Sequence, residues 1–132
     1  MPVGIKLNDE LDLQVIEYFN DTFGYEIFFD DQNNGVEINR VEKVDCEDYT
    51  SAGCLGLITY KNDSMTNHRI DIYQGLRGNS YFCVLAHELG HILIGPEHLE
   101  SGLMKLSAEC TVDREDTIDD LFFEYVSEIY NF

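Results

Sequence analysis

The feature that most constrains the fold is the apolar segment NSYFCVLAHELGHILIGP, residues 79–96. Its hydrophobic side chains are not confined to one stripe, which is typical of a helix buried on all sides. Asn79 or Ser80 is expected to cap the start of this helix, and Gly95-Pro96 is expected to end it. A chain of 132 residues is long enough for one real core, so that core is expected to form around this helix.

Two amphipathic helices are predicted, one before and one after the buried helix. Their apolar side chains recur at helical spacing within residues 8–24 and 117–130. Polar side chains suited to accept hydrogen bonds from free helix amides mark the starts, and a glycine marks the end of the first helix. The predicted caps are Asn8 or Asp9 for the first helix and Thr117 or Asp116 for the second, and the predicted stop is Gly24.

Three or four strands are predicted between the first helix and the buried helix. The candidate segments are residues 25–31, 36–44, 55–60 and 68–75. The letters NNG before the second segment are typical of a hairpin turn, and residues 46–53 and 61–67 are predicted as a loop and a turn. We therefore expect an α+β fold, with a small mixed twisted sheet, an N-terminal helix, a buried helix and a C-terminal helix.

The charge of the chain limits its partners. The chain has 26 acidic and 8 basic residues and a formal net charge of −18. Nucleic acids and anionic membranes are bound through cationic patches, so a neutral or basic protein or peptide is the expected partner. No apolar run approaches the roughly 18–20 residues that span a bilayer, and no signal peptide is evident. We therefore expect a single cytoplasmic domain covering residues 1–132.

The four cysteines do not show the CxxC spacing of a cysteine zinc site. Reduced thiols are expected in the absence of a secretion signal, although a bridge between Cys46 and Cys54 stays open as an alternative. Cys83 is expected to be a small buried hydrophobic residue. Cys110 carries no local signal of its own.

Three of the four histidines lie within AHELGHILIGPEH, residues 86–98. His87 and His91 are four residues apart and project from one helix face, where two imidazoles reach one metal ion. Burial of these groups together with Glu88 is costly unless something compensates them, and a metal does so. Glu88 follows the first ligand directly, where it is placed to take a proton from a metal-bound water. After the helix ends, His98 is expected to return to the ion as the third ligand.

The segment from His87 to Met104 resembles the metzincin superfamily of zinc endopeptidases, and within it the small matrixin-like domains. Members of that superfamily carry the motif HExxHxxGxxH, with three histidine ligands and a glutamate base, and a downstream Met-turn beneath the zinc. His87, Glu88 and His91 match this motif, and Met104 in SGLM resembles the methionine of the Met-turn. The resemblance implies zinc as the cofactor, strands before the active-site helix, and a closing helix after the Met-turn.

One departure from the family motif concerns the third ligand. Three residues separate His91 from Gly95, where the family has two, so the motif here is HExxHxxxGxxH. The family's ligand position therefore falls on Glu97, and His98 follows one residue later. We expect His98 to be the ligand, because imidazole suits zinc and the glycine allows the chain to absorb the shift.

The resemblance also bears on substrate binding. It implies that the strand before the active-site helix is the edge of the sheet and pairs with an extended substrate through main-chain hydrogen bonds. His68 begins the corresponding segment of this chain. We expect it to be an ordinary exposed residue rather than part of the cleft.

The sequence thus predicts a zinc-dependent endopeptidase that acts on a protein or peptide substrate. His87, His91 and His98 are the expected ligands of one catalytic Zn²⁺, and Glu88 is the general base toward the zinc-bound water. One alternative is a glutamate-ligand zincin similar to the ImmA proteases that cleave phage repressors. Another is an acidic, non-catalytic binding or assembly module with a zinc site. In the glutamate-ligand alternative the third ligand would be Glu109 or Glu115.

Overall fold

A computed structural model describes residues 2–44, 46, 54–59, 68–105 and 113–131. Within these ranges the chain forms a mixed α/β domain with five strands and three α-helices. The strands are β1 (Val3–Lys6), β2 (Phe28–Asp30), β3 (Val36–Val41), β4 (Gly56–Thr59) and β5 (Arg69–Tyr73). The helices are α1 (Glu10–Phe23), α2 (Gly78–Ile94) and α3 (Asp120–Tyr130). None of these helices is long and apolar enough to cross a membrane.

The five strands form one mixed sheet in the order β2-β1-β3-β5-β4. β1 pairs in parallel with β2 on one side and with β3 on the other, and β3 pairs in parallel with β5. β4 is antiparallel to β5 and forms one end of the sheet. This arrangement confirms the mixed sheet that was expected from the sequence.

Two expectations about the sheet are wrong. The NNG segment does not make a hairpin, because β1 lies between β2 and β3 and pairs with both. The strand before α2 is not an edge either, because β5 lies between β3 and β4. β1 itself was missed, since it has only four residues, although Val3 and Ile5 alternate toward the core. The predicted loop at 46–53 and turn at 61–67 lie largely outside the described residues.

Hydrogen bonds at the helix ends confirm some predicted caps and correct others. Asp9 caps α1 by accepting from the amide of Asp12, and Gly24 ends that helix in the left-handed conformation. α3 is capped by Asp119 instead of Thr117 or Asp116, because the helix begins later than the pattern indicated. α2 begins after Arg77 without a side-chain cap, so Asn79 and Ser80 lie inside its first turn. Gly95 ends α2 as predicted.

α2 is the central element of the core. Residues 85–94 are all buried, as the apolar pattern predicted. The helix contacts α1 on one side and the strands β4 and β5 on another. Ile70 and Ile72 of β5 are completely buried in the same core as the apolar side chains of α2. The histidines and the glutamate of α2 are therefore carried into the interior of the domain.

The cysteines differ from the expectation of reduced thiols. Cys46 and Cys54 form a disulfide, with Cα atoms 6.2 Å apart, a separation that suits a bridge. Cys83 is also disulfide-bonded, so it is more than a small buried hydrophobic residue. The sequence left a bridge between Cys46 and Cys54 open as an alternative, and the folded chain brings these two residues close enough to form it.

A buried polar network joins the beginnings of α1 and α2. The hydroxyl of Tyr81 donates to the carboxylate of Asp12, and both side chains are buried. The carboxylate also accepts from the amide of Asn8 at 3.1 Å. The guanidinium of Arg40 lies 4.3 Å from the centre of the Tyr81 ring. Burial raises the pKa of Asp12 above its ordinary value, so its hydrogen-bond donors are needed to stabilise the charged form.

We expect Tyr81→Phe to lower the free energy of unfolding by about 1–3 kcal/mol, because the buried carboxylate of Asp12 loses a donor. Urea unfolding of the variant and the wild type measures this difference. Tyr125→Phe is the matched control, since the hydrogen bond from the hydroxyl of Tyr125 to Glu97 is exposed. Equal losses in the two variants would contradict a stabilising role for the network.

Candidate metal centre

The structure brings His87, His91 and His98 together in one group. Their ligand atoms all lie within 4.8 Å of one another. His87 and His91 are buried on α2, and His98 is exposed on the loop that follows Gly95. The ring centre of His98 lies 5.5 Å from that of His87 and 4.8 Å from that of His91. This group could hold a metal ion, and its members are the three ligands predicted from the sequence.

Backbone carbonyl groups orient the two helical imidazoles. Nδ1 of His87 lies 2.6 Å from the carbonyl oxygen of Leu103, and Nδ1 of His91 lies 2.9 Å from that of Gly95. A carbonyl oxygen only accepts, so the network assigns the proton of each imidazole to Nδ1. Each neutral ring therefore keeps the lone pair of Nε2 for another partner. This is the arrangement found around metal-bound histidines, whose second nitrogen donates to an outer partner.

The distance between the two Nε2 atoms tests whether a metal fits. It is 3.2 Å, and neither atom carries a hydrogen in the assigned tautomers. Two lone pairs that face each other are unfavourable unless a cation lies between them. Two nitrogen ligands of a tetrahedral zinc ion, each at about 2.0–2.1 Å, are separated by roughly 3.3 Å. The His87–His91 pair therefore fits an ion of this size, and His98 lies close enough for the three residues to form a group that could hold a metal.

Burial keeps the imidazoles of the group neutral. It lowers the pKa of His87 to about 4 and lowers that of His91 as well, while partial desolvation lowers the pKa of the exposed His98. A neutral imidazole is the form that binds metals. The three rings are therefore available as ligands at neutral pH.

The segment around Met104 supports α2. A 3₁₀ turn spans Gly102–Met104, and the side chain of Met104 is completely buried. Its sulfur packs so closely on Gly90 that a Cβ at that glycine would clash with Sδ. The same turn presents the carbonyl of Leu103 to His87. The turn thus packs against the helix and orients one imidazole, while its equivalence to a Met-turn stays a prediction.

The side chain of Glu88, on α2, packs against β4, the end strand of the described sheet. It is buried, and a Cβ at Gly56 of β4 would lie 2.8 Å from its Oε2 atom. The backbone amide of Ile58 donates to its carboxylate. Burial raises the pKa of Glu88 to about 8, and a cation bound nearby would lower it. This carboxyl group is therefore suited to exchange a proton near neutral pH.

The alternative third ligands lie elsewhere or outside the described residues. Glu97 is exposed, and its Oε2 atom is 3.3 Å from the hydroxyl of Tyr125. Glu115 is exposed on the 3₁₀ turn before α3 and is not a member of the histidine group. Glu109 lies outside the described residues. Which residue is the third ligand stays a prediction, for which the position of His98 gives support.

His68 is buried, so the expectation that it is exposed is wrong. It directly precedes β5, which is an interior strand of the sheet. Burial lowers its pKa. It is not a member of the histidine group found among the described residues.

Sequence reasoning missed two residues that support the site. Leu103 acts through its backbone carbonyl, and a backbone group has no residue-type signal. Asp119 accepts from the amide of Leu103 at 2.8 Å and caps α3. An aspartate near the start of a helix is a typical cap, so Asp119 could have been predicted as one, but the cap was predicted at Thr117 or Asp116 instead.

Comparisons of this chain with protein-family models, curated proteins and solved structures give no significant match. The interpretation of the site therefore depends on the motif and the geometry of the chain itself.

Proposed function

We propose that the protein is a zinc-dependent endopeptidase. The observation that carries this proposal is the 3.2 Å contact between the two Nε2 atoms of His87 and His91, whose Nδ1 atoms are engaged by carbonyl groups. Together with His98, these residues would hold Zn²⁺ through three imidazole nitrogens. Within the described part of the chain the group contains no fourth metal-binding side chain. Three protein ligands are typical of catalytic zinc, whereas structural sites have four.

Glu88 would act as the general base. When bound, zinc would lower the pKa of a water molecule and polarise the carbonyl of the bond to be cleaved. The carboxylate of Glu88 would accept a proton from this water and later donate it to the leaving amine. The amide of Ile58 would help to orient the carboxylate, and the packing against Gly56 would hold it beside the centre.

The position of β4 supports an extended peptide as the substrate. β4 is the end strand of the described sheet, and Glu88 packs against its first residue, Gly56. A peptide that paired with such a strand through main-chain hydrogen bonds would lie beside the proposed base. This corrects the earlier expectation that the strand before α2 forms the edge. The net charge of −18 favours neutral or basic peptides.

Incubation of the purified protein with a diverse peptide library, followed by mass spectrometry, tests this function. We expect peptide-bond cleavage that a chelator removes and added zinc restores, since the three histidines have no catalytic role without the ion. Protein that contains zinc but cleaves no peptide would contradict the proposal and favour the binding-module alternative. Cleavage that persists after complete metal removal would also contradict it.

A further inference from the structure

Asp119 connects α3 to the turn that orients His87. One carboxylate oxygen, Oδ1, accepts from the amide of Leu103 at 2.8 Å, and Oδ2 accepts from the amide of Phe122 at 3.3 Å. The carbonyl of Leu103 in turn lies 2.6 Å from Nδ1 of His87. A continuous set of contacts therefore leads from the first turn of α3 to the imidazole.

The 3₁₀ turn is closely fitted to this carboxylate. A Cβ at Gly102 would clash with the carboxyl group of Asp119. Gly102 also has a φ of 78°, which residues with a side chain rarely adopt. Because the carboxylate is charged, its hydrogen bond to the amide of Leu103 is stronger than one between neutral groups. The position of Leu103 is thus fixed from the side of α3.

We propose that Asp119 is a positioning residue for the metal centre. Its carboxylate holds Leu103 so that the Leu103 carbonyl keeps the imidazole of His87 turned toward His91 and His98. This inference rests on the metal site of the proposed function, but it does not require peptidase activity. Substituting the direct outer partner of a metal-binding histidine typically lowers metal affinity by about 10–100-fold. The coupling between zinc binding and these hydrogen bonds is reciprocal. Zinc binding should therefore slow hydrogen exchange at the amides of Leu103 and Phe122.

The variant Asp119→Ser separates positioning from helix capping. Serine is as good an N-cap as aspartate, so it retains a partner for the amide of Phe122. Its shorter side chain has one oxygen and cannot also hold Leu103. We expect zinc affinity, measured in competition with a chelator, to fall several-fold, by up to about 10-fold, while the helix content is unchanged, because Asp119 acts on His87 only through Leu103.

Asp9→Ser is the matched control for this variant. Asp9 caps α1 through the amide of Asp12 at 3.1 Å, and its other oxygen binds Arg40. The substitution therefore removes the same kind of group from a cap that does not contact the 3₁₀ turn. We expect Asp9→Ser to leave zinc affinity unchanged. An equal loss of affinity in both variants would overturn the proposal, because it would indicate a general effect on stability.

Imidazole NMR of the metal-free protein gives a second readout that needs neither zinc nor activity. We expect the wild type to show Nδ1–H signals for His87 and His91, and Asp119→Ser to lose that of His87 alone. The His91 signal is an internal control, because its partner is the carbonyl of Gly95. A folded Asp119→Ser protein with unchanged zinc affinity and an unchanged His87 signal would overturn the proposal.

Asp119→Thr carries the same comparison if the serine variant does not fold. Threonine also caps helices, and its single hydroxyl oxygen cannot serve both the amide of Phe122 and that of Leu103, so we expect the same loss, and no change would overturn the proposal. If the wild type binds no zinc, the proposed function fails. The NMR comparison of metal-free protein still decides whether Asp119 positions the imidazole.

Discussion

Glu88→Gln is expected to lower kcat/KM for peptide hydrolysis by about 10²–10⁴-fold, the contribution typical of a general acid–base group. Glutamine has nearly the same shape and keeps an oxygen for the amide of Ile58, but it cannot take the proton. Zinc content is expected to stay at the wild-type level. Both quantities should be measured on the same preparation.

Glu97→Gln is the matched control for the Glu88 substitution. It makes the same chemical change at an exposed position nearby, where the carboxylate accepts a hydrogen bond from the hydroxyl of Tyr125 at 3.3 Å. We expect hydrolysis to be almost unchanged. Loss of zinc from Glu88→Gln would instead identify Glu88 as a ligand, and undiminished hydrolysis would mean that another group is the base.

His98→Ala is expected to weaken zinc binding by more than the roughly 10–100-fold effect of an outer partner, because it removes a direct ligand. Glu97→Ala is expected to leave zinc binding nearly unchanged. The reason is that His98 lies with the two helical imidazoles, while Glu97 points to Tyr125. Titration of both variants with zinc against a competing chelator measures the difference.

The same titration distinguishes the alternatives for the third ligand. The opposite order of effects would make Glu97 a carboxylate ligand at the family's spacing. That site would carry less positive charge and polarise its water less. If neither variant affects zinc while Glu109→Ala or Glu115→Ala does, the chain is better described as a glutamate-ligand zincin.

The local features of the candidate site could be predicted because they depend on helix geometry. A spacing of four residues on one helix places His87 and His91 on the same face. In the structure their Nε2 atoms lie 3.2 Å apart. The apolar pattern around them predicted a buried helix, and Gly95 predicted its end. The return of His98 was inferred from the glycine, and the loop does bring it to the group.

The order of the strands could not be predicted from local patterns. β1 pairs with β2 although α1 separates them in the sequence, and β3 pairs with β5 although β4 separates them. Both contacts therefore join segments that are distant in the sequence. The NNG segment has the composition of a hairpin turn, but parallel pairing with β1 overrides that preference. Long-range pairing is determined by the packing of the whole core.

The groups that orient the two imidazoles could not be predicted from the sequence for a different reason. The partners of the two imidazoles are the backbone carbonyls of Leu103 and Gly95, which every residue possesses. The role of Asp119 depends on the proximity of two segments, since its carboxylate bridges the amides of Leu103 and Phe122. The Cys46–Cys54 bridge likewise depends on proximity in the folded chain.

His87, His91 and His98 are proposed to form a zinc centre. Elemental analysis of protein produced in zinc-containing medium decides whether they do. We predict about one zinc ion per chain, as for a single site with three protein ligands. Protein that contains no stoichiometric transition metal would contradict the claim.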